Sequence, residues 1–220
     1  MAISPALPLS RHRSVPALVW QAGAVASGAL LLGGVTSIGQ TFLPDAVAPL
    51  ANSASGWTIC VVALLLLLPR LSAVVSAMLG ALGFAGLTLG YTLVSEARGF
   101  PFSPDFWLAV GLIAGPIVGL AVWAARSSEA VHRAVGLAVI AGILGGEGLY
   151  GLAVVSNTTG ITYWIAMLVV SGALLIVGAA RMLRDRESRL ILGAVATCLI
   201  AAFPLAYLGL AEVMMAVSSS

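Results

Sequence analysis

Residues 46–69, AVAPLANSASGWTICVVALLLLLP, decide how this chain is threaded. From Gly56 to Pro69 the stretch is strongly apolar, whereas its first half carries Asn52, Ser53 and Ser55. Such a first half is too polar to face lipid, because hydrocarbon offers a backbone N–H or C=O no partner and each unsatisfied group costs several kcal/mol. It reads either as a short helix after a surface loop or as a broken, partly re-entrant helix. Counting it gives seven membrane spans. Omitting it gives six and reverses the side of everything that follows.

The rest of the chain leaves little doubt about the solvent. Of 220 residues, 60% are hydrophobic and 8% charged, with a mean hydropathy of +1.10. Average soluble domains carry roughly 25% charged residues. Disorder, a disulfide-stapled secreted fold, a coiled coil and a nucleic-acid binder are excluded at this step, and the lipid bilayer is the expected partner. A helix needs about 20 apolar residues to cross the hydrocarbon core. Breaks at charges and turn residues give spans at 17–41, 46–69, 71–95, 105–125, 134–155, 161–180 and 190–216. The expected fold is an all-α integral membrane bundle, a single transmembrane domain over 17–216 between short tails at 1–16 and 217–220. Pro69-Arg70 leaves almost no connector, so the second and third spans form a tight antiparallel hairpin.

Charge sets the orientation. The chain has ten Arg, no Lys and eight acids. In a seven-span threading Arg11, Arg13, Arg70, Arg126, Arg133, Arg181, Arg184, Arg186 and Arg189 fall on one side and Arg98 alone on the other. Short cytoplasmic loops retain positive charge, which predicts the N-terminus inside, the C-terminus outside and a multi-pass protein of the plasma membrane. An Ala-x-Ala at Ala24–Ala26 admits a cleaved signal peptide, but the apolar stretch continues past it and reads as a retained helix. A 3+1+3 internal duplication is also considered: Asn52-Ser53 with Gly56-Trp57 echoes Asn157-Thr158 with Gly160 and Trp164.

The sharpest chemical feature is Glu147, set in Gly145-Gly146-Glu147-Gly148-Leu149-Tyr150-Gly151, two-thirds of the way through the fifth span. An acid at that depth must be paired, solvated or neutral, so it faces the protein interior. At 100° per residue Glu147, Tyr150 and Asn157 share one helix face, the polar stripe that a ligand or proton path requires. The competing reading is a structural Glu that ties helices together. Gly142 and Gly146 form a GxxxG face suited to close helix packing. Trp57, Trp164 and Tyr91 fall in the outer half of their spans, and with Gln40, Asn52, Asn157, Tyr150 and Glu147 they are the expected lining of an outward-facing aromatic and polar cavity. Pro116 and Pro204 should kink the fourth and seventh spans, and Asp105 should cap the fourth.

Other chemistry finds no support in the residues. Cys60 and Cys198 lie in apolar runs, where a thiol is a small hydrophobe. His12 and His132 lie at membrane edges, so neither a metal nor a cofactor is expected. Neither a phosphate-binding loop nor a nucleophilic triad is present, and one buried acid falls short of the usual catalytic pair. An enzyme is therefore disfavoured. The reading is a small-molecule binding or transport protein, with a non-transporting scaffold or accessory subunit as the alternative; a partner subunit or homo-oligomer fits either.

Several short motifs carry a resemblance. Gly39-Gln40-Thr41 with Leu43-Pro44, Asn52-Ser53 with Ser55 and Trp57, Gly115-Pro116 with Gly119, Glu147-Gly148-Leu149-Tyr150, and Thr162 with Trp164 together resemble an actinobacterial membrane-protein family, a domain of unknown function. The likeness covers most of the chain. It implies a small polytopic inner-membrane protein and no activity. More loosely, the chain is similar to the substrate-binding subunits of energy-coupling-factor vitamin transporters, small apolar bundles with outward-facing aromatic pockets. Those have six spans, from which an odd count departs.

Overall fold

A computed structural model describes residues 15–182 and 184–218, and it is helical throughout its length apart from short turns. The tails expected at 1–16 and 217–220 lie largely outside the described residues. The helices are α1 (Val15–Phe42), α2 (Ala54–Leu67), α3 (Ala73–Ala97), α4 (Asp105–Ala125), α5 (Ala130–Tyr150), the single turn α6 (Ser156–Thr159), α7 (Thr162–Arg181) and α8 (Arg186–Ser218). Six segments are long and apolar enough to cross a membrane; α5 counts with its continuation to Thr159. The protein is an all-α membrane bundle.

The second expected span is the exception. A 3₁₀ turn (Ala48–Asn52) leads into α2, which has 14 residues. At 1.5 Å per residue that is about 21 Å, against a hydrocarbon core of about 30 Å. The 3₁₀ turn and α2 together nevertheless carry the chain back toward the opposite end of the bundle, because their neighbours require it. Gly33 of α1 lies against Leu87 and Tyr91 of α3, and Ser37 hydrogen bonds Ser95 at 2.8 Å, so α1 and α3 are parallel. The chain must come back between them, and α2 is that return. Its hairpin with α3 turns within Leu68–Ser72, as the Pro69-Arg70 pair requires.

Small residues set the helix spacing. An added Cβ on Gly90 would stand 2.0 Å from the Leu30 carbonyl oxygen, and one on Gly33 2.1 Å from that of Leu87. Both obstacles are backbone, which cannot rotate away. Gly90→Val is therefore expected to part α1 from α3 and cost about 1–3 kcal/mol. Gly23→Val, where nothing lies within 4 Å, should leave the thermal unfolding midpoint unchanged in the same detergent. Gly142 and Gly146 behave as a close-packing face: their Cβ positions abut Leu199 and Phe203 of α8. That makes α5 and α8 a second parallel pair, with α7 returning between them. Two up-down-up triads, α1–α3 and α5 with α7 and α8, thus flank α4.

The ends of the bundle follow from these directions. Gly136 of α5 packs on Ala121 and Ala125 near the C-terminus of α4, and Gly178 of α7 packs on Leu137 and Leu192. Arg70, Arg126, Arg133, Arg181, Arg184, Arg186 and Arg189 therefore share one end, and Arg98 lies at the other. There Arg98 donates to the Ser37 carbonyl and to Thr41 Oγ1, closing the C-terminal ends of α1 and α3 together. At the arginine-rich end Asp185 starts α8, its carboxylate accepting from the Ser188 amide at 3.1 Å and hydroxyl at 2.6 Å. Those bonds hold the Asp185 carboxyl below its usual range.

Two local expectations are corrected. The cap position of α4 is Pro104, and Asp105 is the first helical residue, where its charge still favours the positive helix end. The α5 helix does not carry one unbroken polar face to Asn157, because Gly151–Val155 forms a π-turn. A π-turn widens the repeat beyond 3.6 residues and rotates everything after it.

Candidate functional site

The site is built around the start of α2. Ser53 is the cap residue, its hydroxyl accepting from the Gly56 amide at 3.0 Å. This leaves the Ala54 and Ser55 amides without partners inside their own helix, as at any helix start. Glu147 supplies both. Its Oε1 accepts from Ala54 N at 2.7 Å, its Oε2 from Ser55 N at 2.5 Å, and the Ser55 hydroxyl also donates to Oε2. Glu147 is 2% exposed. A carboxylate facing the positive end of a helix dipole, with three donors on its two oxygens, is a compensated buried charge.

The opposite end of α2 is held by the opposite charge. Arg126, at the C-terminus of α4, donates through Nη1 to the Leu65 carbonyl at 3.2 Å and the Leu68 carbonyl at 3.0 Å. A helix too short to reach both membrane surfaces is thus capped at each pole by an ionic side chain from another helix. A third tie joins the triads: the Ser53 hydroxyl and the Tyr163 hydroxyl of α7 hydrogen bond at 2.6 Å.

Beside this node lies a cleft of about 570 Å³. Asn52, Ser53, Ala54, Trp57 and Thr58 form its polar side, and Phe84, Tyr91, Trp107, Phe203 and Tyr207 are among its aromatic walls. Its sides come from α2, α3, α4, α5 and α8. It lies where α8 packs along α5 and not closely against α4.

The expected site residues separate into three groups. Asn52, Trp57 and Tyr91 line the cleft. Glu147 lies behind the cleft wall, bonded to Ala54 and Ser55, and does not line it. The other four are elsewhere. Gln40 accepts from the Tyr91 hydroxyl at 2.7 Å. Tyr150 packs its ring 4.7 Å from that of Tyr207. Asn157 is exposed beyond the π-turn. Trp164 is buried over Gly151, its indole N–H donating to Thr159 Oγ1 at 2.9 Å. Trp57 makes the equivalent gesture, donating to the Ala51 carbonyl at 3.3 Å. In each triad, therefore, a Trp on the returning helix folds back on the turn that precedes it.

Sequence reading missed Ser55, Tyr163 and Arg126. A signal for the first was present: Ser53-Ala54-Ser55-Gly56 ahead of an apolar run is a helix start, and a helix start at membrane depth needs an acceptor that only Glu147 offers.

Six bilayer-length helices and one short helix capped at both ends define a multi-pass membrane protein. The chain belongs to a family of unknown function (DUF6518), the match running over residues 12–212. No curated protein and no solved structure matches it, and neither the looser transporter likeness nor an actinobacterial source finds support there.

Proposed function

We propose that the protein binds a small, mainly apolar molecule in the cleft between the two triads, with the molecule's polar end at Asn52 and Ser53. The observation that carries this reading is an aromatic-walled space of about 570 Å³ with Asn52, Ser53 and Thr58, at the start of α2, in its lining. Ligand sites commonly have that composition and volume. Glu147 is then a positioning residue: it fixes the backbone that forms the polar side and does not itself meet the ligand. Arginine asymmetry orients the chain with its arginine-rich end in the cytoplasm of a plasma membrane, which turns the polar side of the cleft toward the outer leaflet. Transport would require α8 to close against α4.

A specific observation favours a second reading. Every oxygen of Glu147 is engaged by α2, as expected of a scaffold or accessory subunit whose acid only joins helices.

Ala114→Phe separates the two. Ala114 lines the cleft on α4, and a phenyl ring there occupies the ligand's space without touching the α2 caps. Wild-type protein in phosphatidylcholine nanodiscs should bind the fluorescent apolar probe 1-aminoanthracene saturably, and Ala114→Phe should weaken binding at least tenfold with an unchanged melting temperature. Non-saturable partitioning, equal in both proteins, would leave the scaffold reading.

A further inference from the structure

A second recess, of about 230 Å³, lies at the arginine-rich end between the C-terminal ends of α2 and α4 and the start of α3. Arg70, Arg126, Ser76, Ser127 and Ser128 line it, with Trp123 at its side. The chemistry of this lining is one-sided. Arg126 makes its hydrogen bonds through Nη1, leaving its other N–H groups uncommitted. Arg70 is exposed and makes no hydrogen bond among the described residues. Ser76 is 2% exposed, and its hydroxyl has no partner among the described residues.

The neighbouring Arg133 strengthens the imbalance. It donates to the Ser127 carbonyl at 3.4 Å, and its Nε is buried with no hydrogen-bond partner. Two guanidinium groups, of Arg70 and Arg126, therefore line the recess, and a third, of Arg133, bonds the Ser127 carbonyl beside it. The nearby acid, Glu129, is in contact with His132 Nδ1 at 2.9 Å. Guanidinium groups only donate, and hydroxyls can donate. What the recess lacks is an acceptor with several oxygens and negative charge.

Size narrows the occupant. At about 30 Å³ per water, 230 Å³ holds roughly seven or eight waters. That is room for a phosphate group and some of its hydration. We propose that the recess between Arg70, Arg126 and Ser76 binds a phosphate group, carried by an anionic phospholipid headgroup or by a small solute. Planar, multi-donor guanidinium groups are suited to phosphate, and the recess stands at the membrane end where headgroup phosphates are found. It is separate from the cleft, and its occupancy is independent of the reading given above.

The test uses the full chain in phosphatidylcholine nanodiscs, with inorganic phosphate added to one arm and phosphatidylglycerol incorporated in another. Arg70→Gln and Ser76→Ala are the informative variants, because neither side chain supports another helix. Arg186→Gln, at an exposed arginine on the same end, controls for diffuse charge. Stabilisation by phosphatidylglycerol alone identifies a headgroup site, and stabilisation by inorganic phosphate identifies a solute site. In either case Arg70→Gln and Ser76→Ala should raise the half-saturating concentration several-fold, and Arg186→Gln should not. No stabilisation in either arm, or equal losses in Arg70→Gln and Arg186→Gln, would overturn the proposal.

Discussion

Replacing Glu147 by Leu is expected to lower the stability of the bundle by about 3–5 kcal/mol, the range for removing one partner from a buried charged network. The reason is the identity of the groups left behind. Ala54 and Ser55 would keep backbone N–H groups with no acceptor, and the Ser55 hydroxyl would lose its partner. Each unsatisfied buried donor costs about 1–3 kcal/mol. A Glu that joined helices only through side-chain contacts would tolerate Leu. Backbone donors reverse that expectation, because they cannot be mutated away. Glu147→Gln retains one acceptor oxygen but turns an amide NH₂ toward a donor, so it should fall between wild type and Leu. Thermal unfolding followed by circular dichroism in one detergent ranks the three proteins.

The second large effect is expected at the other pole of the same helix. Arg126→Leu strips the Leu65 and Leu68 carbonyls of their charged partner and should cost about 2–3 kcal/mol. The informative quantity is the double variant. If Glu147 and Arg126 both act by holding α2, releasing one end loosens the helix and leaves the other cap with less to stabilise. The loss in Glu147→Gln with Arg126→Leu should then be smaller than the sum of the single losses, although the two residues lie at opposite ends of α2. Strict additivity would mean that each residue serves only its local contacts.

How much of this is visible in the sequence depends on the scale of the signal. Long apolar runs report the bilayer directly, so α1, α3, α4, α5, α7 and α8 could be located to within several residues. Arginine placement carried the odd threading, and with it the short second helix. The depth and burial of Glu147 were also legible, since hydrocarbon forbids other outcomes for a lone acid. Its partners were less so. Helix periodicity relates residues on one helix and says nothing about which helix comes alongside, so the stripe from Glu147 to Asn157 looked like one surface. The π-turn at Gly151–Val155 broke that surface, and the true partner came from 92 positions away, in Ser55. Trp164 misled for a related reason: an aromatic residue near the end of a span fits a pocket wall and a buried contact equally well until Gly151 is placed beneath it.

Hydrogen exchange at two amides tests the central claim most directly. In nanodisc-embedded wild-type protein, the amides of Ala54 and Ser55 should exchange slowly, as slowly as amides in the middle of α2. In Glu147→Gln they should exchange much faster, while those of Val61 to Leu65 change less. Fast exchange at Ala54 and Ser55 in the wild type, or no change on substitution, would contradict a carboxylate cap at the start of α2.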